Sequence, residues 1–143
     1  MHYRKLSDIV AGQQILAGSP EMTVFDAAQA MRLRNVGAVL VMDGDALLGI
    51  VTERDIAFRL VAEGLDPRES SLSAIMSREI YSLPDDRMGL DAVRMMEHHR
   101  IRHIVVVRAA GGYGIVSARD FSSAELAEGA RLHAQATDLW EHL

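Results

Sequence analysis

The sequence has no cysteine, which excludes disulfides, thiolate metal sites and a cysteine nucleophile. Only 5% of its residues are aromatic, so its core must be built from Val, Ile, Leu, Ala and Met. No apolar stretch approaches the roughly 20 residues of a membrane-spanning helix. The opening MHYRKLSDIV holds no long apolar run either. No signal peptide is read there, and a cytoplasmic protein is expected. Positive charge is outweighed: 15 Lys and Arg against 20 Asp and Glu give a net charge of −5. That balance argues against nucleic acid as a partner, since non-specific binding needs a positive footprint. A small anionic ligand stays open, because local charge can oppose the global sign.

What the sequence does have is an internal repeat. GIVTERD, residues 49–55, returns as GIVSARD, residues 114–120, with five of seven positions identical and Thr52 replaced by another hydroxyl, Ser117. An offset of 65 aligns residues 26–55 with 91–120 without a gap, and nine of the thirty positions are identical. Upstream, LSDIV at Leu6 matches LSAIM at Leu72. The 143 residues therefore divide into halves 1–65 and 66–143.

Each half has the same expected elements. Val24, Ala27, Ala28 and Met31, like Gly89, Ala92, Val93 and Met96, recur at helical spacing behind a proline and acidic residues. The aliphatic runs AVLVM (38–42) and IVVV (104–107) predict strands buried on both faces. Short turns, DGD and AAGG, lead to second strands, LLGIV and YGIV, so each pair forms an antiparallel hairpin. A helix is expected to start at each repeated phrase. Apolar stretches at 14–16 and 79–83 predict one further strand per half. The fold class is α+β, with β-α-β-β-α in each half. The tail from Ser123 predicts an amphipathic helix packing through Leu126, Ala130 and 132–136, with Trp140 and Leu143 available to a second subunit.

Several residues invite a sharp reading and a plain one. In TERD and SARD, a hydroxyl three residues before an Asp is the spacing of a capping box, but also sets two polar groups at a helix start that can receive a ligand. His98, His99 and His103 form no paired metal-ligand spacing; His98 and His99 are adjacent on a helix end and face different ways. Met31, Met95 and Met96 read as core fillers. AAGGYG leads into a strand rather than a helix, so it is a turn and not a phosphate loop. No nucleophile–base pair or carboxylate dyad stands out, and an enzyme is not expected.

The ordered set of motifs, present twice at near-constant spacing from Leu6 to Ala124, resembles a tandem pair of CBS (cystathionine β-synthase) domains, a Bateman module. The resemblance implies two halves related by pseudo-two-fold symmetry with clefts between them. It implies an adenosine-containing ligand there (AMP, ADP or ATP, with S-adenosylmethionine or NAD as alternatives), no required cofactor, homodimers of pairs, and regulation of a partner protein. A ligand-free interaction module is the competing reading.

The same resemblance implies the site residues. Asp55 and Asp120 would accept hydrogen bonds from ribose hydroxyls, with Thr52 and Ser117 beside the phosphate at a helix N-terminus. Phosphate-binding members often carry basic residues before the central strand. Arg102 and His103 stand there in the second half, Gly37 and Ala38 in the first. Ser77 stands where a hydroxyl lines the cleft, and Ala11 is its counterpart. Ile80 and Tyr81, with Ile15 and Leu16, would line the adenine slot, and Arg54 and Arg119 lie within reach of phosphates. The site around Ser117 and Asp120 is expected to be the better equipped.

Overall fold

Two three-stranded sheets of identical topology form in the computed structural model, which describes residues 3–135. Ala136, Trp140 and Leu143, assigned above to the tail helix and a subunit contact, lie outside the described residues. In chain order the elements begin with α1 (Leu6–Ile9), β1 (Ala17–Gly18), α2 (Val24–Arg34), β2 (Ala38–Asp43), β3 (Ala46–Thr52) and α3 (Glu53–Asp55), which continues in π-helical turns over Ile56–Val61. Then follow α4 (Leu72–Ile75), β4 (Ser82–Pro84), α5 (Gly89–His99), β5 (His103–Val107), β6 (Tyr113–Ser117), a single 3-10 turn over Ala118–Asp120, and α6 (Ser123–Gln135).

The described residues pack as two units, residues 15–80, and residues 3–14 with 81–135. These differ from the sequence halves by one exchange. The short helix of the first half, α1, packs into the unit of β4–β6, and that of the second half, α4, into the unit of β1–β3.

In residues 15–80, β1 runs parallel to β2, and β2 antiparallel to β3, the order the hairpin turn requires. The turn is made by Gly44 at φ +59°, a conformation that costs glycine little. β2 is buried without a break from Ala38 to Val41, as its aliphatic run predicts. Val24, Ala27 and Met31 of α2 pack on Val39, Val41 and Val51, with Leu60, Leu72 and Ile75 completing the core.

The other unit repeats this plan. β4 pairs parallel to β5 and β5 antiparallel to β6. Its core joins Leu6 and Val10 to Leu83, Val93, Met96, Ile104 and Val116. α2 and α5 end in the same way. Asn35 and Arg100 adopt left-handed conformations, at φ 53° and 55°, and the N–H of the next residue reaches back to Met31 and Met96.

Two expectations are corrected. The extra strands lie at 17–18 and 82–84, the first just past the predicted 14–16 and the second overlapping the end of 79–83 and running one residue beyond it; pairing begins only where the Leu16 and Tyr81 carbonyls accept the N–H groups of Leu40 and Val105. The helix expected at the second phrase does not form. Phe121 is drawn into the core and turns extended, at φ −116° and ψ 145°. A new helix starts behind Ser122, whose Oγ accepts the Glu125 N–H at 3.1 Å while Glu125 accepts the Ser122 N–H at 2.9 Å, a complete capping box.

α6 lies against α5 at Gly129, where a Cβ would come within 2.2 Å of Val93 Cγ1. Val93 is buried and β-branched, so it has little room to turn away. Alanine favours a helix over glycine by about 1 kcal/mol, but overpacking costs about 1–3 kcal/mol. Gly129→Ala is therefore expected to lower Tm despite its better helix propensity, as read by thermal denaturation under circular dichroism.

Candidate functional site

The repeated phrases sit at matching ends of the two sheets. Thr52 pairs with Ala38 and Ser117 with His103, each as the last pair of its hairpin. One residue further, the Glu53 N–H donates to the Gly37 carbonyl and the Ala118 N–H to the Arg102 carbonyl, both at 3.0 Å. The residues before each central strand are thereby locked beside the phrase. Arg102, His103, Ser117, Arg119 and Asp120 come together at one sheet end, whereas Gly37 and Ala38 leave Thr52 and Asp55 without a basic neighbour from that position.

Both phrases close on themselves as capping boxes. Asp55 Oδ2 accepts the Thr52 N–H at 2.8 Å and the Thr52 hydroxyl at 3.1 Å, and the Asp55 N–H returns to Thr52 Oγ1 at 3.3 Å. Asp120 Oδ2 accepts the Ser117 N–H at 2.8 Å, and Ser117 Oγ accepts the Arg119 N–H at 3.3 Å. The remaining oxygens differ. Asp55 Oδ1 faces the guanidinium of Arg59 at 3.6 Å, one turn along the continuing helix. Asp120 has no such helix after it. Among the described residues its Oδ1 has no hydrogen-bond or ion-pair partner, and the residue is exposed. The missing helix also leaves no helix N-terminus beneath Ser117 and Asp120. A three-residue turn supplies no macrodipole, and the N–H groups of Ser117, Ala118 and Arg119 are already engaged.

Glycine in each phrase has a packing cause. A Cβ on Gly49 would meet the Ser77 carbonyl at 2.8 Å and Met76 Sδ at 2.7 Å; one on Gly114 would meet Val10 at 3.0 Å and Gln13 Oε1 at 3.1 Å. A second chain segment crosses each strand there. Ser77 pairs with the edge of β3, its N–H donating to the Ile50 carbonyl at 2.9 Å and its carbonyl accepting the Ile50 N–H at 3.0 Å. On β6 the side-chain amide of Gln13 takes the place of a backbone. It donates to the Ile115 carbonyl and accepts the Ile115 N–H, both at 2.8 Å.

Ser77, counted with the second half by sequence, thus packs in the unit that carries Thr52 and Asp55, and its hydroxyl donates to the Glu79 carbonyl at 3.3 Å. Ile80 is half-buried at the end of the same unit. Tyr81 falls in the other unit, its ring stacked on His99 with centroids 3.9 Å apart. His98 lies edge-on to both His99, at 4.7 Å, and His133, at 5.1 Å, so the adjacent histidine rings meet each other rather than turning fully apart. Among the described residues no three His, Asp or Glu side chains form a group able to hold a metal ion.

Sequence reasoning passed over Gln13, Arg59 and Arg4. Arg4 donates to the Asp120 carbonyl at 2.8 Å. One signal for a crossing segment was available: a glycine repeated inside a strand marks close approach of another backbone.

Comparison with known proteins agrees with this architecture. The profile of the CBS domain family matches residues 8–62 and 72–127. CBS domain-containing protein YhcV of Bacillus subtilis is 36% identical over 109 residues, 76% of this chain and 77% of its own length. A CBS domain-containing protein of Arabidopsis thaliana, CBSCBSPB2, is 44% identical over 86 residues, 59% of this chain but only 16% of that longer protein. Among solved structures, a CBS domain protein from Pyrobaculum aerophilum complexed with AMP superposes with a TM-score of 0.74 at 28% identity, covering 89% of this chain and 98% of that one. No helix among the described residues is long and apolar enough to cross a membrane. With two family matches, two sheets of one topology and the repeated strand-to-turn phrase in each, the chain belongs to the CBS domain family and carries two of its domains in tandem.

Proposed function

We propose that this CBS pair is a small-molecule sensor that binds an adenosine-containing ligand of the AMP, ADP or ATP type and regulates a partner protein, without catalysing a reaction. The observation that carries this reading is Asp120. One carboxylate oxygen is used to hold the turn, and the other has no partner among the described residues. A carboxylate presented in this way suits the paired hydroxyls of a ribose, through charge-assisted hydrogen bonds. Arg102 and His103, at the same sheet end, supply donors for a phosphate. The AMP held by the Pyrobaculum relative supports the ligand class. Thr52 and Asp55 are assigned mainly to capping, because Arg59 already faces the second Asp55 oxygen. Phe58, Val61 and Leu65, exposed along one stretch of helix and its end, support a homodimer of pairs.

A thermal-shift screen with AMP, ADP, ATP, NAD and S-adenosylmethionine tests the ligand class. A compound present at 100 times its Kd stabilises the folded chain by about 2.7 kcal/mol, several degrees in Tm. The absence of any shift across the five would leave the interaction-module reading in place.

A further inference from the structure

Arg4 lies more than a hundred residues from the second phrase in sequence, yet it holds the turn that carries Asp120. Its backbone is fixed first. The Arg4 carbonyl accepts the Gly89 N–H at 2.6 Å, Lys5 bridges to Met88, and Leu6, fully buried, donates to the Arg87 carbonyl at 2.9 Å. From that anchored position the guanidinium makes three bonds. Nη2 donates to the Asp120 carbonyl at 2.8 Å and to Glu125 Oε1 at 3.0 Å, and Nε donates to Glu125 Oε2 at 3.2 Å. The group also lies 5.6 Å from the centre of the Phe121 ring. Arg4 therefore joins the end of the 3-10 turn to the first turn of α6, across the two residues where the chain breaks from helical geometry.

Such a brace matters because the turn is intrinsically weak. A single 3-10 turn has poor hydrogen-bond geometry and no following turn to extend it. The first phrase needs no brace, since its helix runs on from Asp55 to Val61. The two arginines also act on different atoms. Arg59 faces the carboxylate of Asp55, whereas Arg4 binds the carbonyl of Asp120 and leaves the carboxylate alone. Glu125 is the other end of the brace. Burial pushes its carboxyl up, but the Ser122 N–H and the Arg4 guanidinium outweigh that and hold it below the usual carboxylate value.

We propose that Arg4, paired with Glu125, is a positioning residue for ligand binding at Asp120: it pre-orders the turn so that the carboxylate is presented without being consumed. The proposal rests on the reading of Asp120 as the ribose acceptor. Pre-ordering contributes to affinity by removing the cost of ordering the site on binding. It also requires reciprocity, so that ligand at Asp120 tightens the Arg4–Glu125 brace.

The test measures AMP binding by calorimetry on the full chain and on Arg4→Ala, Arg4→Lys, Glu125→Gln and Arg108→Ala. Arg108 is the matched control. It grips the same segment, donating to the Val10 and Gln13 carbonyls at 2.9 and 3.2 Å, without touching the Asp120 turn. Arg4→Ala is expected to weaken AMP by roughly tenfold, with partial recovery in Arg4→Lys. Glu125→Gln is expected to lose several-fold, and Arg108→Ala to lose stability but keep its Kd. In the unsubstituted chain AMP is expected to slow amide exchange at Glu125. Unchanged affinity in Arg4→Ala overturns the proposal, as does an equal loss in Arg108→Ala. Where Arg4→Ala does not fold, unchanged affinity in Glu125→Gln overturns it instead. If the chain binds AMP and Asp120→Ala abolishes binding while Arg4→Ala does not, only the role of Arg4 fails. A chain that binds no adenosine compound removes the parent reading and this proposal together.

Discussion

Asp120→Ala is expected to weaken adenine-nucleotide binding by about 100-fold or more, while Asp55→Ala weakens it only a few-fold. Each hydrogen bond to a charged group is worth about 1.5–3 kcal/mol, and a ribose offers two hydroxyls to one carboxylate, so losing both costs at least two decades in Kd. Asp55 differs because Arg59 stands at 3.6 Å from the oxygen a ribose would need. Both substitutions also remove the carboxylate half of a capping box and so lower stability, and affinity and Tm must be measured together. Asp120→Asn separates the two effects. Its amide oxygen can still accept the Ser117 N–H, now at 2.8 Å from the carboxylate, while the charge is gone. It is expected to keep most of the Tm and lose most of the affinity, as read by calorimetry and thermal denaturation. If Asp120→Ala lowers Tm but leaves Kd unchanged, the phrase is a cap and nothing more.

Leu6→Ala is expected to destabilise the protein by about 2–5 kcal/mol, the range for a leucine removed from a packed core. Leu6 is 0% exposed and belongs to the core of β4–β6. At roughly 3–4 °C per kcal/mol for a chain of this size, the fall in Tm is large. The location of the effect is the sharper test. Counting by sequence halves, Leu6 belongs with residues 15–65. By packing it belongs with residues 81–135, so faster amide exchange is expected in β4, β5 and β6. Exchange that rises instead in β1–β3 would contradict the exchanged position of α1.

Much of the fold was legible because it rests on local rules. The buried hairpins follow from uninterrupted aliphatic runs and short turns, α2 and α5 from apolar spacing and acidic first turns, and the capping boxes from a hydroxyl three residues before Asp. The repeat supplied each element twice. Only the family resemblance singles out Arg102 and His103; the hairpin register, with His103 opposite Ser117, is what sets them beside the phrase.

The rest depended on contacts between residues distant in sequence, which no local pattern encodes. Nothing near Leu6 says that α1 packs with residues 81–135, because a short apolar helix fits either core; the choice lies in which strand edge it meets. Gln13 shows no strand pattern, yet its amide completes the edge of β6. The second phrase resembles the first, but Phe121 finds a core position and Ser122 a capping partner, and the helix restarts. By itself the sequence determined the two hairpins, the two long helices and the residues at each phrase. Only the tertiary structure decided which Asp keeps an oxygen open, because that depends on what Arg59 and Arg4 reach once the chain has packed.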